Sequence, residues 1–159
     1  MTINSVWHAG FTVSDIERSI AFYTEAVGLE LRHRQEQQNE YTSTFIGYPD
    51  AHLKVAQFSL PGGQPGRSGH VLELCEYVNP RGGVLEPGSN AVGSGHVAFE
   101  TDALDATVER MVAAGATKVS DPVEIVAGIN RGGRTIYLRD PDGITVELVQ
   151  APSQAGAGA

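Results

Sequence analysis

The feature that most constrains this chain is a repeat that spans nearly all of it. Residues 6–15, Val-Trp-His-Ala-Gly-Phe-Thr-Val-Ser-Asp, and residues 93–102, Gly-Ser-Gly-His-Val-Ala-Phe-Glu-Thr-Asp, are each a short β-like run with one histidine, ending in a polar turn. An amphipathic helix is predicted after each. Ile16, Ile20, Tyr23 and Val27 recur at spacings of three and four and stop at Gly28; Leu104, Val108, Met111 and Val112 do the same and stop at Gly115. His96 stands 88 positions after His8, and Leu104 the same 88 after Ile16. Ser14 or Asp15 in the first half and Asp102 in the second sit where N-caps would.

Strand-like stretches fill the rest. In the first half they cover 5–13, 29–34, 40–46 (a continuation of the preceding strand, or a flap), 53–60 and 70–77, with a Pro- and Gly-rich loop at 61–69. In the second half they cover 97–101, 117–120, 123–126, 135–139 and 144–150, with an Asp-Pro-Asp-Gly turn at 140–143. Each half therefore reads β-α-β-β-β. Two copies are too few for a solenoid and point to paired modules. The expected organisation is one α+β domain over 1–151: module one over about 5–78, a linker over 79–94, module two over 95–150, and a flexible tail over 152–159.

Within this frame four residues stand out. Glu73 lies in Val-Leu-Glu-Leu-Cys and Glu147 in Ile-Thr-Val-Glu-Leu-Val, each a carboxylate inside an otherwise apolar β run. Burying such a charge unpaired is costly. A divalent cation shared with His8 and His96 would compensate both, and two imidazoles with two carboxylates make a neutral site. Zinc, nickel, cobalt, manganese and iron(II) all accept such a set. Taken singly, each residue has a simpler reading, a Glu on the wet face of a half-exposed strand or an ordinary edge His. The matched positions in the two halves favour the metal.

Composition narrows the partners. A net charge of -8 argues against nucleic acid, which needs a basic face. The lone Cys75 excludes an internal disulfide and a cysteine-based zinc site. No apolar run approaches the roughly 18 residues of a membrane span, and no signal peptide is evident, so a cytoplasmic enzyme with a small-molecule substrate and no membrane partner is expected. His33, His52 and His70 read as solvated. Trp7, Phe11, Phe45, Phe58, Tyr77, Phe99 and Tyr137 read as core or cleft wall.

The order His8, Val-Leu-Glu73-Leu, Gly-His96-Val-Ala-Phe, Asp-Pro-Asp-Gly, Glu147-Leu resembles the vicinal oxygen chelate superfamily, which includes glyoxalase I, methylmalonyl-CoA epimerase and the extradiol dioxygenases. The stretch Val-Ser-Asp-Ile-Glu-Arg-Ser-Ile-Ala-Phe-Tyr over 13–23 adds to the likeness, which covers about residues 5–150. The resemblance implies two paired βαβββ modules forming a cupped mixed sheet around a central cleft, and a homodimer. It places one divalent metal on His8, Glu73, His96 and Glu147. It implies an isomerase, epimerase or lyase that stabilises an enolate-type intermediate of a small oxygen-chelating substrate, with Glu147 or Glu73 as the base. Glutathione-dependent members carry an arginine four residues beyond the first His and an asparagine four beyond the first Glu. Thr12 and Tyr77 stand there in this chain, a departure that points to another substrate. Thr12, Tyr77, Arg131 and Arg134 are the candidate substrate contacts. The alternatives are an iron(II) dioxygenase on a His8, His96, Glu147 triad, and a metal-free ligand-binding resistance protein.

Overall fold

Asp15 starts the first helix. Its backbone is extended, and its carboxylate accepts from the N–H groups of Glu17 and Arg18, so the chain leaves strand β1 (Ala9–Thr12) and turns into helix α1 (Ile16–Ala21). In the computed structural model, which describes residues 2–63, 68–85 and 88–152, the helix does not stay regular to Gly28. It widens into a π-helical stretch, Phe22–Val27, in which Gly28 N–H reaches back to Tyr23 O. The widening sets Phe22, Tyr23 and Ala26 together against the sheet.

The chain continues through β2 (Glu30–Gln37), α2 (Glu40–Ile46), β3 (His52–Ser59) and β4 (Leu72–Asn79). These form a mixed sheet in the order β1-β4-β3-β2, with β1 parallel to β4 and the other pairs antiparallel. The stretch 40–46 is therefore a helix, where a strand or flap was expected. Its β-branched and aromatic residues favour a strand. The ends decide otherwise, because the Asn39 side chain accepts from Thr42 N–H and Gly47 closes the helix in a left-handed conformation.

The second unit repeats the plan with β5 (His96–Glu100), α3 (Leu104–Ala113), β6 (Thr117–Lys118), β7 (Val123–Glu124), β8 (Arg134–Arg139) and β9 (Thr145–Gln150). The order is β5-β9-β8-β6, with β7 also on β8 and β5 parallel to β9. Asp102 does not cap α3. Ala103 holds the cap position, and Thr101 Oγ1 accepts the Ala103 N–H. The Asp140 carboxylate accepts from Asp142 and Ile144 N–H and so shapes the turn before β9. By contact the chain divides into two compact units, Met1–Leu85 and Glu86–Ala159. Residues 64–67 of the predicted loop and 153–159 of the predicted tail lie outside the described residues.

Side chains alternate across each sheet, so one face of each unit carries the core. In the first unit Ile16, Tyr23, Ala56, Phe58, Leu72 and Leu74 are buried; in the second Leu104, Val108, Met111, Ile136, Leu138, Val146 and Leu148 are. Of the aromatics expected in the core or a cleft wall, Trp7 and Phe45 lie outside the core, since both are exposed. Among the described residues no helix is long and apolar enough to cross a membrane.

One carboxylate is buried on the core face of the first unit. Glu76 is buried, and its carboxylate accepts the free N–H of Ile16 at 3.0 Å, with Lys54 at 3.6 Å and Arg81 at 3.8 Å. It ties β4 to the start of α1 across the sequence and satisfies a helix-end donor. Glu76→Ala is expected to cost about 1.5–3 kcal/mol, the value of a charge-assisted hydrogen bond with its partner left buried. Glu76→Gln is expected to keep part of it. Urea denaturation measures both, and an alanine variant as stable as the parent would refute the tie.

Candidate functional site

The opposite face of each sheet carries the candidate residues, in the first unit beside the buried Leu53 and Val55, and the strand pairing sets them out in the same way twice. Gly10 pairs with Glu73 across β1 and β4, and Ala98 pairs with Glu147 across β5 and β9. In both units the residue opposite the glutamate is the second one after the histidine. His8 and His96 thus stand diagonally across a parallel pair from Glu73 and Glu147. The distances agree: His8 Nε2 is 3.5 Å from Glu73 Oε1, and His96 Nε2 is 3.2 Å from Glu147 Oε2. Each glutamate is also held from its other side. Gln57 Nε2 donates to Glu73 Oε2 at 2.8 Å, and Thr135 Oγ1 donates to Glu147 Oε1 at 2.9 Å. Both carboxylates are half-buried, with their backs fixed and one oxygen turned to an imidazole.

The surroundings of the two pairs differ. In the second unit the His96 ring lies 5.2 Å from that of Tyr137, and His96 is the more exposed of the two histidines. In the first unit a third imidazole joins. His70, expected to be solvated, is only 6% exposed, and its Nε2 lies 2.8 Å from His8 Nδ1. His8, His70 and Glu73 offer donor atoms that all fall within 4.8 Å of one another, a group able to hold a cation. Of the other two histidines, His33 is exposed, and His52 is half-buried with its Nε2 2.6 Å from Glu36 Oε1.

The remaining candidates fall in three places. Thr12 lies on the His8 face of β1, opposite Cys75, and is exposed. Tyr77 lies two residues further along the Glu73 face of β4, its ring edge-on to Tyr48. Burial raises its phenol, with lesser contributions from Cys75 and Tyr48, so the hydroxyl stays a neutral donor at neutral pH. Arg131 is exposed in the turn before β8. Arg134 belongs to the other face. It shares the parity of Ile136 and Leu138, and its guanidinium grips Asp105 of α3 through two bonds of 2.7 and 2.9 Å. It is thereby turned away from the side of β8 that carries Thr135 and Tyr137.

Cys75 lies between Glu73 and Tyr77 on the same face. Burial pushes its thiol up to about 12, and the Glu73 carboxylate adds to the effect both by its charge and by accepting the S–H at 3.9 Å. At pH 8 roughly one thiol in ten thousand is ionised. A thiol-disulfide probe is therefore expected to leave folded protein unmodified at pH 8 and to react at once in denaturant. Between the ordinary thiol range and about 12 the unfolded chain ionises first, so folded stability falls as pH rises through that window. Rapid labelling of the folded chain at pH 8 would contradict this.

Comparison with known proteins identifies the family. A family model described as "Glyoxalase/Bleomycin resistance protein/Dioxygenase superfamily" matches residues 5–148. The chain is 32% identical to a probable lactoylglutathione lyase of Vibrio parahaemolyticus, over 99% of this chain and 98% of that protein. It is 29% identical to a 2-epi-5-epi-valiolone epimerase of an Actinomyces species, over 95% of this chain and 81% of the relative. Among solved structures, a glyoxalase family protein of Bacillus cereus shares the fold, with a TM-score of 0.76, 24% identity, and coverage of 96% of this chain and 99% of that one. With a family model over nearly the whole described chain and a relative above 30% identity along nearly its full length, the chain belongs to the glyoxalase/bleomycin resistance protein/dioxygenase superfamily.

Proposed function

We propose that this chain is a metal-dependent lyase or isomerase of the glyoxalase type. In this reading His8, Glu73, His96 and Glu147 supply the ligands of one divalent cation, and the substrate is a small molecule that chelates through neighbouring oxygens. The observation that carries the reading is the His–Glu pair repeated at identical strand register in the two units.

The donors suit the group. A cation with bonds of about 2.1 Å keeps adjacent ligands roughly 3.0–3.5 Å apart, and the two Nε2–carboxylate separations are 3.5 and 3.2 Å. Two neutral imidazoles and two carboxylates balance a divalent charge. When bound, such a cation supplies Lewis-acid polarisation of a substrate carbonyl.

The side chains do the rest. Gln57 and Thr135 anchor one oxygen of Glu73 and of Glu147 and leave the other facing the imidazole. One of these two carboxylates, Glu147 or Glu73, would leave its ligand role to take a proton from the carbon beside the carbonyl and return it to a neighbouring position. Isomerisation of this kind conserves atoms and electrons and needs no oxidant. Tyr77, a neutral donor, and Thr12, short and exposed, lie on the His8 and Glu73 face of the first unit and form part of its substrate wall; Arg131 offers a cation to an anionic substrate. Relatives named lactoylglutathione lyase make lactoylglutathione and the products of its cleavage the first compounds to assay. Because Thr12 and Tyr77 stand where glutathione-dependent members carry arginine and asparagine, thioesters and 2-oxo acids are the wider set to screen.

The test is metal analysis of freshly purified protein, then turnover of those compounds after adding nickel, zinc, cobalt or manganese. One equivalent of cation and metal-dependent isomerisation support the proposal. Oxygen-sensitive iron with ring-cleaving activity would replace it by the dioxygenase reading. Failure to take up any of these ions would refute both and leave a binding protein.

A further inference from the structure

The His70 imidazole is buried and forms no part of the four-ligand set, yet it touches one of the ligands. We infer that His70 is a positioning residue that fixes the His8 ring in the tautomer with a proton on Nδ1 and a bare Nε2. The inference rests on the metal reading above for its purpose, and on geometry for its substance.

The argument follows the protons. His70 Nδ1 lies 3.2 Å from the backbone oxygen of Ser68, and a carbonyl can only accept. His70 therefore carries its proton on Nδ1. A neutral imidazole has one N–H, so His70 Nε2 presents a lone pair, and it lies 2.8 Å from His8 Nδ1. Two lone pairs do not meet at that distance, so His8 Nδ1 is the donor. The remaining ring nitrogen, His8 Nε2, is then bare and faces Glu73 Oε1 at 3.5 Å. A lone pair opposite a carboxylate oxygen repels it, and a cation between them removes the repulsion. An imidazole whose second nitrogen is bonded in this way is oriented and made a better ligand.

The local chain is built to hold the relay. Gly69 takes a φ of +69°, a left-handed turn that brings the Ser68 carbonyl back under the His70 ring, where other residues would be strained. The Ser68 hydroxyl donates to Trp7 O at 2.8 Å and ties this turn to the residue before His8. The second unit has no such arrangement among its described residues: His96 lies against Tyr137 instead. Only one of the two ligand imidazoles is pre-oriented, which makes the other an internal control.

The experiment reads tautomers directly. In metal-free protein labelled with 15N in histidine, at pH 8, long-range proton–nitrogen correlation is expected to show His8 and His70 each protonated on Nδ1. In His70→Leu a His8 Nε2–H signal should appear while His96 signals stay put. In His70→Gln, whose amide oxygen can accept where Nε2 did, the His8 pattern should return. Zinc affinity measured by calorimetry should fall about 10–100-fold in His70→Leu and recover in His70→Gln. A wild-type His8 protonated on Nε2 would overturn the inference even if His70→Leu failed to fold. So would a leucine variant with unchanged His8 signals and zinc affinity. If the tautomers are as expected and zinc does not bind the wild type, the positioning stands and the metal reading falls.

Discussion

His96→Ala is expected to lower divalent-metal affinity by more than about a hundredfold, and turnover with it, while leaving the fold intact. The size follows from comparison: losing a group that merely orients a ligand costs about 10–100-fold, and His96 is proposed as a ligand itself. The selectivity follows from exposure. His96 is 45% exposed at the start of β5, against the half-buried Tyr137 ring, so alanine vacates little buried space and the melting temperature of the metal-free protein should hardly move. Glu147 would keep only the Thr135 hydroxyl on its other oxygen. Metal content after dialysis and melting curves with and without nickel separate the two effects. A variant that keeps its metal would remove His96 from the ligand set.

Phe58→Ala is expected to produce the largest loss of stability, about 3–5 kcal/mol. Phe58 is fully buried on β3, the strand between β2 and β4. It pairs with Leu31 on one side and Leu72 on the other, and its ring packs at 6.0 Å from that of Tyr23 in the π-helical stretch. Truncation leaves a cavity that strands fixed on both sides cannot close. Urea unfolding gives the value, and a loss under about 1 kcal/mol would mean that this core collapses more freely than its packing implies.

The repeat and the His–Glu register were legible in the sequence because strand parity and spacing are local properties. His8 and His96 open the first strand-like run of each half, Glu73 and Glu147 sit inside the last, and pairing the first run with the last makes the rest unavoidable. Arg134 was also legible in principle, since it shares parity with Ile136 and Leu138 and therefore belongs to the helix face. The helix over 40–46 was hidden because its internal residues vote for a strand while Asn39 and Gly47 outside it cast the deciding vote. His70 was hidden for a different reason. Its burial depends on the turn at Gly69 and on where Ser68 meets Trp7, a contact across 61 positions that no local pattern announces. Trp7 and Phe45 show the converse, large apolar side chains left outside.

The first strand of each unit runs beside its last strand and in the same direction. No hairpin can make that contact. His8 meets Glu73, and His96 meets Glu147, only after every element between them has found its place, so each pair closes one of the widest loops in its unit. The entropy of that closure is spent before any donor pair exists, and the high sequence separation slows its arrival. Partly folded or truncated chains would hold the helices and the antiparallel strands without either chelating pair. A cation held as proposed would therefore favour the finished chain alone: whatever binds the completed pairs and ignores the unfolded ones adds its binding energy to folding. Metal uptake by a nascent or refolding chain would then be an endpoint signal, rising with the slowest step and not with the first appearance of secondary structure.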